Sequence, residues 1–187
     1  AMAVREQHFK RRLAYSTVSN LSYILFGAAL MTPAGLVGSL SHLVFHGLMK
    51  ITLFYCAGAV LVRTGKEYVQ DLRGYFKIMP FTMGVYTLAA IALVGTPPLC
   101  GFISKWNLIT ASTASGLPIA TFGSVALILS TILTAVYLLY VVVTAAFSPL
   151  GEGVDLQNRD PGLCMKAPLV LLCAAIVLCG LYSTPLV

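Results

Sequence analysis

Charged residues are scarce in this sequence of 187 residues. Only 10% of the residues are Asp, Glu, Lys or Arg, whereas a soluble domain carries about 25%. Hydrophobic residues make up 58% of the chain, and the mean hydropathy is +0.89. The composition therefore excludes an ordinary soluble domain and predicts an integral membrane protein.

Acidic residues are the scarcest charged type, and none of the six lies within a hydrophobic run. A transporter of cations that acts alone normally holds at least one carboxylate inside the membrane as a counter-ion or ligand. This absence indicates that any acidic partner lies on another chain or in a missing part of this one.

The sequence also lacks the patterns of cofactor and metal sites. The cysteines are five in number and show no paired metal-ligand spacing, so we interpret them as small packing residues. No flavin, nicotinamide or iron–sulfur motif and no nucleophile constellation is present. We therefore expect no cofactor and no metal, and a self-contained membrane enzyme has little support.

Long hydrophobic runs are abundant and account for most of the chain. Judged against a bilayer span of about 20 residues, the sequence predicts six membrane helices. Five of them cover residues 13–31, 36–62, 79–95, 119–147 and 167–187. The fourth span in order is interrupted at 96–101 and continues over 102–114. The fold class expected is an all-α, polytopic transmembrane bundle.

Basic residues cluster in two connections. Four precede the first span and four lie between the second and third: Arg5, Lys10, Arg11 and Arg12, then Arg63, Lys66, Arg73 and Lys77. Segments rich in Lys and Arg stay on the cytoplasmic side, so the net charge of +6 indicates membrane orientation rather than nucleic-acid binding. Six crossings would return the C-terminus to the cytoplasm.

Four ionisable residues lie within the predicted spans: His42, His46, Lys50 and Lys105. Such residues are costly at membrane depth and suggest a functional site. His42, His46 and Lys50 are four residues apart, and each such step rotates about 40° and rises ~6 Å along a helix. The spacing predicts one continuous stripe, with Lys50 pointing towards Lys105.

These residue types suit proton transfer. An imidazole accepts a proton on one nitrogen and donates one from the other near neutral pH, and a lysine, unlike an arginine, can become neutral. The alternative is that the histidines hydrogen-bond between helices and that Lys50 extends to the membrane surface. A relay and a packing role both remain open at this point.

Lys105 follows a helix-breaking segment. Pro97, Pro98 and Gly101 cannot continue a regular helix, because proline lacks an N–H donor and its ring clashes with the preceding turn. Irregular backbone at membrane depth is tolerated where it is buried in protein or lines a cavity, and a lysine there could end a proton path. Alternatively, Lys105 and Trp106 anchor the helix at the interface.

Four motifs in order resemble the antiporter-like subunits of respiratory complex I, of Mrp-type cation/proton antiporters and of membrane-bound hydrogenases. They are KRRLAYSTVSNLSY from Lys10, HLVFHGLMKITLFYCAG from His42, DLRG from Asp71 with Met79 and Pro80, and GTPPLCGFISKW from Gly95. Asn20 stands where the family usually has glutamine. The resemblance covers about residues 5–147.

The resemblance implies a fold of about fourteen helices with two half-channels, of which this chain matches the second. It implies that His42, His46 and Lys50 form the central relay and that Lys105 lies on the exit side. Residues 1–147 would be the C-terminal part of the proton-conducting module, and residues 148–187 a polar connection with a terminal helix. The chain therefore looks like a C-terminal piece, without the first half-channel.

The function expected is proton, or sodium/proton, translocation as a subunit or fragment within a larger complex. The resemblance implies other membrane subunits as partners, redox chemistry located in those subunits and a bacterial or archaeal cell membrane. The alternative is a structural membrane scaffold without its own ion path.

Overall fold

A computed structural model describes residues 2–150 and 160–182. In these ranges a short helix, α1, precedes six long ones and no strand occurs, so the all-α prediction is confirmed. The helices are α1 (Met2–Arg5), α2 (Phe9–Ala29), α3 (Pro33–Thr64), α4 (Pro80–Val94), α5 (Cys100–Ala114), α6 (Pro118–Phe147) and α7 (Leu163–Leu181). Asp155 and Arg159 of the predicted polar connection, and residues 183–187 of the last predicted span, lie outside the described residues.

The central helix, α3, has clear sequence signals at both ends. Thr32 caps its start by accepting a hydrogen bond from the Gly35 amide at 3.1 Å, and Pro33 occupies the first turn, where a missing N–H costs nothing. Gly65 ends it with φ of 67°, a conformation that glycine adopts without strain. With 32 residues, α3 is long enough to pack against α2, α4, α5 and α7.

The predicted interruption lies between α4 and α5. Gly95 ends α4 at φ of 95°, and helical structure resumes at Cys100. Pro97 and Pro98 lie in the non-helical segment, as expected, but Gly101 does not: it belongs to the first turn of α5. Gly101 instead allows close packing, because a Cβ atom there would collide with the Ala92 carbonyl of α4.

The two ends of the bundle are defined by contacts between segments distant in sequence. At the near end, where α2 begins, the Phe9 amide donates to the Glu67 carbonyl at 2.8 Å, and the Phe9 ring lies 5.3 Å from the ring of Tyr86 in α4. At the far end, Leu108 of α5 packs against Gly38, close to where α3 begins. Therefore α4 starts at the near end and α5 finishes at the far end.

The helices α4 and α5 thus form one interrupted crossing. Each has 15 residues and is about 22 Å long, shorter than the ~30 Å hydrocarbon core. α6 returns to the near end, where the Gly74 amide donates to the Thr144 carbonyl at 3.3 Å. The prediction of six separate crossings is wrong: with α7, the described residues make five, because one crossing is divided between two helices.

The start of α7 is fixed at the near end by Asp160. Its carboxylate accepts hydrogen bonds from the amides of Phe81 and Thr82, both at 3.0 Å, and from the Thr82 hydroxyl at 2.8 Å. A carboxylate at a helix N-terminus satisfies amides that have no partner in the helix and complements its dipole. Asp160 therefore joins the connection before α7 to the start of α4.

Among the described residues, three helices are long and apolar enough by themselves to cross a membrane: α3, α6 and α7. Such helices are typical of an integral membrane protein. The cysteines are free and differ in environment: Cys56 and Cys100 are buried, whereas Cys164 is exposed. Packing thus explains the first two but not Cys164.

Candidate functional site

The stripe of His42, His46 and Lys50 faces the interior of the bundle. The relative solvent exposures of the three residues are 0%, 4% and 5%, respectively. The two imidazole rings are stacked, with centroids 5.9 Å apart and planes inclined by 19°. The four-residue spacing on α3 therefore produces a continuous buried row.

Lys50 is held by α2. Its ammonium donates to the Leu13 carbonyl at 2.8 Å and to the hydroxyl of Ser16. The Lys50 ammonium therefore hydrogen-bonds to α2, and the prediction that its side chain points towards Lys105 stays a prediction. The interpretation that it extends to the membrane surface does not fit its burial.

His42 connects the stripe to α5. Its Nδ1 atom is hydrogen-bonded to the hydroxyl of Ser104 at 2.9 Å, and Ser104 is the residue before Lys105. The ring of Tyr23 in α2 lies 5.6 Å from the His42 ring on another side. Ser104 lies between Gly101 and Lys105, which the sequence already singled out. It was missed because a serine carries no ionisable group.

Both histidines retain a free buried nitrogen. Nε2 of His42 and Nε2 of His46 are buried and have no hydrogen-bond partner within residues 2–150 and 160–182. Buried polar atoms are normally hydrogen-bonded, so each nitrogen is available to a water molecule or to a proton.

Lys105 owes its partners to the helix break. In an uninterrupted helix the carbonyls of Leu93 and Val94 would accept from the residues four positions later, but these are Pro97 and Pro98, which have no N–H. The ammonium of Lys105 donates to these two carbonyls instead, at 2.8 and 3.0 Å.

The environment of Lys105 does not suit an interfacial anchor. The residue keeps only 5% of its exposure, while Trp106, its neighbour, is 54% exposed and stacks on Phe102. The two side chains therefore point to different surroundings, and only the tryptophan meets the outside of the bundle.

Carboxylates do not neutralise the site from within the described ranges. The ion pair between His8 and Glu67, at 3.3 Å, lies at the near end, and no carboxylate of the described residues pairs with Lys50 or Lys105. The same ranges hold no group of three His, Cys, Asp or Glu residues that could bind a metal ion. The chemistry that the four residues themselves can perform is proton exchange.

A groove reaches the stripe from outside. It has a volume of about 700 Å³ and runs between α2 and α3, with Met165 of α7 at one edge. Its lining residues with polar side chains are Thr17, His46, Lys50 and Tyr55. The groove therefore borders His46 and Lys50 but does not reach His42.

A sequence profile described as "NADH:quinone oxidoreductase/Mrp antiporter, TM" matches residues 1–134. Two curated relatives match over almost the whole chain. Subunit N of the NADH-quinone oxidoreductase of Desulforudis audaxviator is 34% identical, with 100% of this chain and 39% of the relative covered. Subunit M from Mycobacterium tuberculosis is 30% identical, with 98% of this chain and 32% of the relative covered.

Solved structures show the same helix arrangement. A chain of the Mrp complex from a Dietzia species superposes with a TM-score of 0.86 at 27% identity, covering 98% of this chain and 42% of that one. A chain of respiratory complex I from Thermus thermophilus superposes with a TM-score of 0.85 at 26% identity, covering 97% and 37%. This chain thus spans less than half the length of each of these proteins.

Proposed function

This chain belongs to the NADH:quinone oxidoreductase/Mrp antiporter family of transmembrane proteins, and we propose that it conducts protons across the membrane as part of a larger complex. The path consists of Lys50, His46, His42 and Lys105. Because the chain corresponds to less than half of its relatives, the remaining polar groups of the path belong to other segments or subunits.

The observation that carries this proposal is the buried row that joins two separate helices. Lys50, His46 and His42 follow one another on α3, and the hydrogen bond between His42 and Ser104 links that row to the helix of Lys105. If these residues served only to pack helices together, their polar groups would not need to form one continuous row.

Proton movement along this row needs no cofactor. A histidine that accepts a proton on Nε2 can release one from Nδ1, so His42 can pass a proton towards the Ser104 hydroxyl. The lysines store a proton as an ammonium and return it, with neutral carbonyl and hydroxyl acceptors in place for the charged form. The row therefore alternates between groups that store protons and groups that pass them on.

The partners proposed are other membrane subunits, as in the complexes that the relatives' names describe. Electron transfer would take place in those subunits. Protons are the favoured ion, because all four groups bind a proton at nitrogen, whereas a hard metal cation is normally held by several oxygen ligands. Transport that requires Na⁺ would indicate the sodium-coupled alternative.

The alternative function is a membrane scaffold. It is favoured by one observation: both ammonium groups donate to backbone carbonyls, which would also hold helices together. Lys50→Met and Lys105→Met, introduced singly into the assembled complex, separate the two functions. A relay predicts normal assembly with proton transport into membrane vesicles abolished, while a scaffold predicts normal transport wherever assembly is normal.

A further inference from the structure

A second set of polar side chains lies on the face of α2 that meets α6. Ser16, which accepts from the ammonium of Lys50, lines the same cavity as Tyr137 of α6. The Tyr137 hydroxyl in turn donates to the Thr134 hydroxyl at 3.3 Å. Hydroxyl groups therefore continue from the Lys50 ammonium across the seam between α2 and α6.

This row of hydroxyls opens into a cavity. Between α1, α2 and α6 there is a space of about 250 Å³, lined by Ser16, Tyr137 and Thr134, with Ser19 and Ser130 on the same seam. A water molecule occupies about 30 Å³, so several can be accommodated. Ala3 and Val4 of α1 form the wall at the near end, so the cavity extends from Ser16 towards that surface.

The position of α6 against this cavity is fixed by a buried arginine. Arg12, 1% exposed, donates to the Tyr137 carbonyl at 3.2 Å and to the Glu6 carbonyl at 2.8 Å, and its guanidinium lies over the Tyr140 ring. On the same seam, the hydroxyls of Ser19 and Ser130 are hydrogen-bonded across the two helices at 2.8 Å. These contacts hold Tyr137 at the cavity that Ser16 also lines.

We propose that Lys50 exchanges protons with the near side of the membrane through this hydroxyl-lined branch of Ser16, Tyr137 and Thr134. The inference rests on the proposed function and adds a route by which the stripe is supplied. When neutral Lys50 takes a proton from Ser16, the hydroxyl regains one from Tyr137, which is resupplied through Thr134 or water in the cavity. One proton leaves the cavity, one arrives on Lys50, and each hydroxyl ends with the proton count it began with.

The first test removes single hydroxyls in the assembled complex. Tyr137→Phe and Ser16→Ala should assemble normally and lower the rate of proton transport about fivefold, the rate equivalent of one hydrogen bond worth about 1 kcal/mol. Tyr140→Phe is the matched control, because it removes a hydroxyl from the same helix outside the cavity and keeps the ring over Arg12. It should transport at the normal rate.

A second test asks whether water enters the cavity, and it remains informative if a tyrosine variant fails to assemble. In a background without the five native cysteines, Thr134→Cys should react with a methanethiosulfonate reagent, which needs hydrated thiolate, and the modification should block transport. Ile132→Cys is the control, since Ile132 is 56% exposed on α6 but does not line the cavity. It should remain unmodified in the bilayer.

The outcomes separate the branch from the relay. If Lys50→Met abolishes transport while Tyr137→Phe transports like Tyr140→Phe, or while Thr134→Cys does not react, the branch is overturned and the relay stands. If Lys50→Met transports normally in an assembled complex, the proposed function is overturned, and the branch with it.

Discussion

At the residue scale, both membrane lysines are held by neutral oxygen atoms. Lys50 has a carbonyl and a hydroxyl, and Lys105 has two carbonyls at the end of α4. Breaking a buried ion pair leaves an uncompensated charge, which costs several kcal/mol. Loss of a proton from either lysine leaves no such charge on its neighbours, so this environment is compatible with a group that repeatedly changes its protonation state.

The first prediction distinguishes a titrating Lys50 from a fixed positive charge. Lys50→Arg should impair proton transport nearly as much as Lys50→Met, because arginine stays protonated. A reduction of at least ~tenfold is expected for a group that carries the proton itself. Transport by membrane vesicles with the assembled complex is the measurement, and Lys77→Arg, in the exposed turn before α4, is the control. Normal transport by Lys50→Arg would point to a fixed charge instead.

The second prediction concerns the link between the two helices of the site. Ser104→Ala removes the hydrogen-bond partner of His42 Nδ1, so transport should fall about fivefold, the equivalent of about 1 kcal/mol. Thr110→Ala, on an exposed part of the same helix, removes a hydroxyl that bonds only within α5 and should have no effect. Equal rates for the two variants would remove Ser104 from the path.

At the element scale, the break between α4 and α5 requires close contact between the two helices. Gly101→Ala would place a methyl group against the Ala92 carbonyl, which belongs to the backbone and cannot rotate away. We expect the free energy of unfolding to fall by about 1–3 kcal/mol, as for other overpacked sites. The displacement should also move the carbonyls of Leu93 and Val94 relative to Lys105, so transport should decrease as well.

Gly84→Ala is the matched control for that variant. Gly84 lies inside α4, and nothing lies within 4 Å of its Cβ position, so alanine should leave stability unchanged or raise it by up to about 1 kcal/mol. Thermal unfolding of the detergent-solubilised protein, followed by circular dichroism, gives both values. A Gly101→Ala protein as stable as Gly84→Ala would contradict the close packing of the break.

The hydrogen bonds of Asp160, in the connection before α7, lead to a prediction about stability without loss of transport. Asp160→Ala removes the acceptor of three hydrogen bonds at the start of α4, so it should lower the free energy of unfolding by about 1–2 kcal/mol. Asp71→Ala, in the Val69–Leu72 turn, serves as the control. Because Asp160 lies far from the relay along α4, transport by the assembled protein should be retained, and a parallel loss of transport would contradict this separation.

At the scale of the whole molecule, the interrupted crossing determines which loops share a side of the membrane. Gln7 and Gln70 lie at the near end, and Met31 and Leu117 at the far end. In a background without native cysteines, Gln7→Cys and Gln70→Cys should react with an impermeant thiol reagent from the same side. Met31→Cys and Leu117→Cys should react only from the other side. Reaction of Leu117→Cys together with Gln70→Cys would restore six separate crossings.

Several features follow from local geometry and can therefore be predicted from the sequence alone. The helical stripe of His42, His46 and Lys50 follows from a four-residue spacing. The angle between two side chains around a helix depends only on the number of residues that separate them. The break at Pro97 and Pro98 follows from the covalent structure of proline. Hydropathy and the four motifs likewise predict a membrane protein of the family to which the chain belongs.

Tertiary structure decided which groups meet. The hydrogen bond from Lys50 to Leu13 joins residues 37 positions apart, and the one between His42 and Ser104 joins residues 62 positions apart. The partners of Lys50, the packing role of Gly101 and the union of α4 with α5 in one crossing all depend on such contacts. Helix periodicity gives the face on which a side chain lies, but the neighbour on that face is chosen by how the helices pack, and this is why these features could not be predicted from spacing alone.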